Sequence, residues 1–191
     1  EHYDGSAWTA GGNMATARYK LAGAGTDTAG LAFGGSPDGG AAEHYDGSAW
    51  TTGGNMGSGR YGLGGAGTDT AGLAFGGNPG ASVTNATEHY DGSAWTSGGN
   101  MGTERYYLAG CGTQTAALGS GGYDSPITNA TEHYDGSAWT AGGNMGTARY
   151  RLGGTGTDTA GLAFGGSTPS LTNATEEYAG PGITTQTVTA S

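Results

Sequence analysis

Four histidines, His2, His44, His89 and His133, stand at the same place in successive copies of one motif. Imidazoles repeated in this way could hold a metal or switch charge near neutral pH if the fold brought them together. An exposed strand position explains them more simply, because the fifth copy of the motif carries Glu177 instead. Asp27, Asp69 and Asp158 each follow a Gly-Thr pair and precede another Thr. Repeated carboxylates could offer oxygen ligands to calcium. Turn chemistry is the plainer reading, since Asp bonds its own backbone in tight turns and Gln114 takes its place in the third repeat. Asn85, Asn129 and Asn173 lie in Asn-Ala-Thr, the acceptor pattern for N-glycosylation on a surface loop. The Gly-x-Gly at Gly23 and Gly25 lacks the strand-to-helix setting of a phosphate-binding loop. The single cysteine, Cys111, excludes an internal disulfide and a zinc site built from several thiolates, and it replaces Ala24, Ala66 and Thr155 as small filler.

No combination of these groups makes a catalytic set. An active site needs different groups in one place, and here nearly every polar group recurs around the chain. Repetition predicts a non-enzymatic protein without a cofactor or metal centre. The informative positions are those where the repeats differ. Lys20, Gly62, Tyr107 and Arg151 occupy one equivalent position, Tyr123 and Asp124 diverge, and so do the loops 36–42, 78–87, 124–131 and 167–175. Loops on a rigid scaffold are where recognition concentrates, and exposed tyrosines suit sugar or protein surfaces. Lys20, Tyr107, Tyr123 and Arg151 are therefore the candidate ligand-binding residues, with neutral drift the alternative.

The elements that must position them follow from the repeat. Glu-x-Tyr-Asp-Gly-Ser-Ala-Trp starts at Glu1, Glu43, Glu88 and Glu132, and a degraded fifth copy spans 176–191. A second block, Arg-Tyr-x-Leu, starts at Arg18, Arg60, Arg105 and Arg149 and runs to a Gly-Gly pair at Gly35, Gly77, Gly122 and Gly166. The Asp-Gly pair predicts a tight hairpin with the aromatic anchors on its arms: Tyr3 and Trp8, Tyr45 and Trp50, Tyr90 and Trp95, Tyr134 and Trp139. The second block alternates bulky and small residues with the period of a strand. Glycine interrupts every potential helical turn. Each repeat therefore supplies four short strands, too few to stand alone, and radially arranged four-stranded sheets bury both faces against their neighbours.

Residues 1–191 read as a single all-β repeat domain, a β-propeller. There are five copies of the hairpin block but four of the arginine block. Four full blades run over 18–52, 60–97, 105–141 and 149–189, leaving an extra hairpin at the start. A four-bladed ring with an added hairpin, a five-bladed ring with one incomplete blade, an excerpt of a longer array, and an open stack or filament completed by the next subunit all fit that count. Sixteen acidic residues against six basic ones give a net charge of −10, which repels a phosphate backbone and argues against nucleic acid as a partner. No apolar run is long enough to span a bilayer. The chain opens at Glu1 without a methionine or signal peptide, as expected of a mature, trimmed or excerpted product.

Paired glycines closing an apolar strand, then Glu-x-Tyr-Asp, Trp, Met and Arg, form an ordered set. In the second repeat these are Glu43, Tyr45, Asp46, Trp50, Met56 and Arg60. In this order the chain resembles the kelch repeat family of β-propellers. The near identity of the repeats and the Thr-rich tail from Ile183 to Ser191 resemble the glycine-rich kelch-like arrays of tail-fibre and other virion proteins of aquatic bacteriophages. That resemblance implies a location on a virion surface or outside a cell, and contact with a host-surface glycan or protein. It also implies assembly with other virion proteins or with further copies of the chain. The competing expectation is a structural repeat of a microbial extracellular fibre with no ligand.

Overall fold

The alternation in each repeat makes strands, and the glycines keep them short. The computed structural model describes residues 1–180 and contains no helix among them, hence none long and apolar enough to cross a membrane. A two-stranded hairpin, β1 (His2–Tyr3) and β2 (Trp8–Thr9), precedes four blades of antiparallel strands. Blade 1 comprises β3 (Ala22–Gly25), β4 (Gly30–Phe33), β5 (Ala42–Tyr45) and β6 (Trp50–Thr52). Blade 2 comprises β7 (Gly64–Gly67), β8 (Gly72–Phe75), β9 (Thr87–Tyr90) and β10 (Trp95–Ser97). Blade 3 comprises β11 (Ala109–Gly112), β12 (Ala117–Ser120), β13 (Thr131–Tyr134) and β14 (Trp139–Ala141), and blade 4 β15 (Gly153–Gly156), β16 (Ala160–Phe164) and β17 (Thr175–Ala179). The outer edge expected for blade 4, with the rest of the Thr-rich tail, lies outside the described residues.

Within every blade the strands run in sequence order, and the inner strands β3, β7, β11 and β15 pack one against the next around an axis. The fold is a β-propeller of four blades. Glycine on the inner strands is what lets the blades approach. A Cβ on Gly65 would sit 2.8 Å from the Phe33 ring, and one on Gly110 2.6 Å from the Phe75 ring. These rings reach on to the tryptophan of the following blade, with centroids 5.1 Å apart for Phe33 and Trp95 and 4.8 Å for Phe75 and Trp139. Such tilted aromatic pairs contribute about 0.5–1.5 kcal/mol beyond the area they bury.

A second interblade link joins each histidine ring to the tyrosine hydroxyl of the next blade: His44 to Tyr90, His89 to Tyr134, His133 to Tyr178. His2 makes the same bond to Tyr45. The extra hairpin therefore occupies the place of the outer half of a blade preceding blade 1, which resolves its position in the count. Its anchors behave differently from those of the blades. Tyr45, Tyr90, Tyr134 and Trp139 are buried, and Trp50 and Trp95 are half-buried. Tyr3 and Trp8 stack on each other but are 50% and 66% exposed, because the described residues place no inner strand pair beneath them. Phe164 on blade 4 is likewise 43% exposed, since among the described residues no tryptophan stacks on it as Trp95 and Trp139 stack on Phe33 and Phe75.

The repeated arginine holds each blade together. Arg18, Arg60, Arg105 and Arg149 pair with Glu43, Glu88, Glu132 and Glu176 at 2.8–2.9 Å, and every one of these guanidinium side chains is fully buried. Arg105 also donates to the carbonyls of Gly121 and Ala130, tying the Gly-Gly turn to the loop that leads into β13. These pairs bridge residues 25–28 apart in the chain.

Turn chemistry departs from expectation in two details. The Asp-Gly hairpins close through four residues. Asp46, for example, accepts from the Ser48 amide and hydroxyl and from the Ala49 amide, with Gly47 in the left-handed region at φ 93°. These bonds hold the carboxyls of Asp46, Asp91 and Asp135 below their ordinary value, the Ala amide in each loop being the largest influence. In the other turns the threonine, not Asp27, Asp69 or Asp158, does the capping: Thr26 and Thr68 hydroxyls accept from the amides of Ala29 and Ala71. Gln114, the exception in repeat three, donates to the carbonyls of Gly72 and Tyr90 in blade 2.

Candidate functional site

The stretch Arg-Tyr-x-Leu leads into each inner strand. Its arginine is clamped in the blade, and its tyrosine makes an isolated antiparallel bridge to the segment after the Gly-Gly pair: Tyr19 to Ser36, Tyr61 to Asn78, Tyr106 to Tyr123, Tyr150 to Ser167. The next residue is the divergent one, and at this point the backbone turns left-handed, with φ 59° at Lys20, 64° at Gly62, 56° at Tyr107 and 57° at Arg151. A side chain in this region costs about 1–2 kcal/mol, so glycine is the comfortable occupant. The other three are held there by backbone bonds running from blade to blade. Gly62 donates to the Lys20 carbonyl at 2.8 Å, Tyr107 to Gly62 at 2.6 Å and Arg151 to Tyr107 at 2.8 Å. Among the described residues no bond from Lys20 to the Arg151 carbonyl continues the series.

This geometry gathers the four equivalent positions at one end of the propeller axis. They rim an open depression of about 290 Å³, floored by the leucines that follow them in each repeat. The volume stands at the lower bound of small-ligand sites, about 300–1,000 Å³. Gly62 leaves room for its neighbour, since a Cβ there would meet the Tyr107 ring at 2.9 Å. The Lys20 ammonium lies 5.0 Å from the Tyr19 centroid, 4.8 Å from Tyr61 and 5.5 Å from Tyr107. The Arg151 guanidinium stands 4.7 Å from Tyr107 and 5.3 Å from Tyr150. Cation and ring attract at these separations. Tyr123 joins the cluster through Tyr106 at 5.6 Å and Tyr150 at 5.8 Å.

Lys20, Tyr107, Tyr123 and Arg151, picked out because the repeats differ there, thus stand together in one aromatic and cationic cluster. Sequence reasoning missed Tyr19, Tyr61, Tyr106 and Tyr150, whose rings pack against the rim side chains Lys20, Tyr107 and Arg151. Their signal was present: each precedes the divergent position and follows a buried arginine.

The remaining candidates do not converge. The histidines sit apart, one per interblade link, and burial lowers the affinity of His89 and His133 for a proton. No group of three His, Cys, Asp or Glu side chains able to hold a metal occurs among the described residues. Asn85 and Asn129 spend their amides on the carbonyls of Met101 and Met145, a structural use of Asn-Ala-Thr. Cys111 lies at the opposite end of the axis among glycine-rich inner strands, and burial pushes its thiol up to about 11. That leaves it protonated and unreactive at neutral pH.

No protein-family model matches the chain, and no curated protein matches it.

Proposed function

We propose that the protein is a non-enzymatic binding module that contacts a host-surface glycan through the axial mouth rimmed by Lys20, Gly62, Tyr107 and Arg151. The observation that carries this reading is the convergence, in a chain of near-identical repeats, of the positions that are not identical. A ring position shared by four repeats and filled by Lys, Gly, Tyr and Arg gives up internal symmetry at the axis, where a single ligand would meet all four at once. Tyrosine faces over a leucine floor offer the flat, amphipathic surface against which a sugar ring packs. The kelch-like order of motifs and the Gly-rich near-identity of the repeats support placing this module on a virion surface, as part of a tail-fibre-like appendage used in attachment. The ordered, repeated blades would then serve as both spacer and adhesin.

Glycan-array binding of the purified chain, followed by calorimetry on the hits, tests the reading. Tyr107→Ala is expected to weaken binding about tenfold, equivalent to about 1.4 kcal/mol. A chain that binds nothing on the array overturns the glycan reading and favours the ligand-free structural repeat.

A further inference from the structure

The charges of this chain are distributed in a way that the repeat pattern does not explain. It has six basic residues. Four are the arginines sealed inside the blades against Glu43, Glu88, Glu132 and Glu176. The two that remain, Lys20 and Arg151, both stand on the rim of the axial mouth. Although the chain has sixteen acidic residues, no carboxylate among the described residues pairs with either of them. Both reach the same ring, that of Tyr107, and every other ring close to them is also a tyrosine. Surface cations left beside tyrosine faces, in a molecule with acid to spare, keep their charge available to an incoming anion. Because the residues presenting them are fixed by the left-handed backbone and its blade-to-blade bonds, little ordering is needed on binding.

Resting on the reading of the mouth as a glycan site, we propose that the sugar it selects is an acidic one, its carboxylate or sulfate held by Lys20 and Arg151 at the rim. The arginine offers the two-pronged donor geometry that a carboxylate or sulfate matches, and the lysine a second point charge. The net charge of −10 sets the scale of the ligand. Beyond about 8–10 Å at physiological salt the two cations are screened, so a long polyanion gains nothing along the rest of the surface. The mouth therefore favours an isolated acidic residue on an otherwise neutral glycan over nucleic acid or a densely charged polymer.

The test compares acidic glycans (uronate-bearing, sialylated and sulfated) with neutral ones of matched length on one array. The chain is used as it stands and as Lys20→Gln and Arg151→Gln, with Lys20→Arg as the charge-keeping control. Thermal melts of all variants verify folding. Enrichment of acidic glycans among the hits is expected, with a five- to tenfold loss of affinity in each charge-removing variant. Affinity should be retained in Lys20→Arg and should decline as salt rises from 50 to 300 mM. Hits that are neutral, or acidic hits indifferent to both variants, overturn the acidic-sugar assignment while leaving glycan binding intact. A blank array overturns the glycan reading itself.

Discussion

Two interblade interfaces differ by one hydroxyl, and the difference predicts which is weaker. Trp139 lies on Phe75 and donates its indole N–H to the Thr87 hydroxyl at 2.9 Å, Thr87 being the cross-strand partner of Phe75. Trp95 lies on Phe33 in the same way, but the partner of Phe33 is Ala42, and the buried Trp95 N–H has no acceptor. A buried donor left unsatisfied costs about 1–3 kcal/mol. Ala42→Thr places the hydroxyl where Thr87 already sits in blade 2, at a position equally enclosed, 0% exposed against 1%. The expected gain is about 1–2 kcal/mol, or about 2–8 °C in Tm for a chain of this size. Thr87→Val removes the acceptor at nearly constant volume, and it should lower stability by about 1–2 kcal/mol. Urea unfolding and calorimetry on the two single variants and the double variant measure both. If Ala42→Thr leaves Tm unchanged and Thr87→Val is neutral, the indole is satisfied by solvent and the interfaces do not differ as argued.

Four further perturbations test other parts of the framework. Arg105→Leu strands Glu132, whose side chain is 6% exposed, and should destabilise by about 3–5 kcal/mol in urea unfolding. Arg149→Leu should cost less, because its partner Glu176 is 19% exposed and can hydrate. Between blades 3 and 4, Ser120 stands where Phe33 and Phe75 fill the first two interfaces, and a cavity lined by Gly154, Met145 and Ala163 lies beside it. That cavity is about 20 Å³, so Ser120→Phe should overpack it and lower stability by about 1–3 kcal/mol, whereas a rise in Tm would mean the blades part to admit the ring. Acid should lower the protein's stability over two pH ranges. Burial lowers His89 and His133 from the ordinary 6.5, so the folded state binds fewer protons than the unfolded one, and stability present above that pH is lost as pH falls below it. The loop carboxyls of Asp46, Asp91 and Asp135, lowered from 3.8, add a further loss below that value, and melting curves from pH 7 to pH 3 should show both.

The strands and blades were legible because each lies within one repeat. Tyr45 and Trp50 face each other across a four-residue turn, and Leu31 and Phe33 alternate with small neighbours. The reading of the inner strand was less faithful. The alternation of Tyr19, Leu21 and Gly23 predicts a strand starting at the arginine, but β3 begins at Ala22, because the left-handed turn at Lys20 breaks the period. A glycine at the same position in repeat two was the one local sign of that turn. Partnerships between blades left no sign at all. The histidine that reads as an exposed strand residue bonds a tyrosine 43–46 residues away, a separation set by how blades stack and not by local pattern.

The buried arginine and the exposed mouth belong to one device. In each of repeats one, three and four a guanidinium is fixed in the blade, and two residues later a side chain is forced into a left-handed conformation that it would not choose alone. Strain of this kind persists only where the surroundings over-determine it. Here they do: the arginine pins one side, the leucine packs on the other, and a backbone bond ties the turn to the neighbouring blade, through the amide of Tyr107 and of Arg151 and through the carbonyl of Lys20. The repeats can therefore exchange Lys, Tyr and Arg at this position without altering the scaffold. Variation at the axis, on a framework otherwise nearly invariant from blade to blade, is how a symmetric fold can present an asymmetric surface to a ligand.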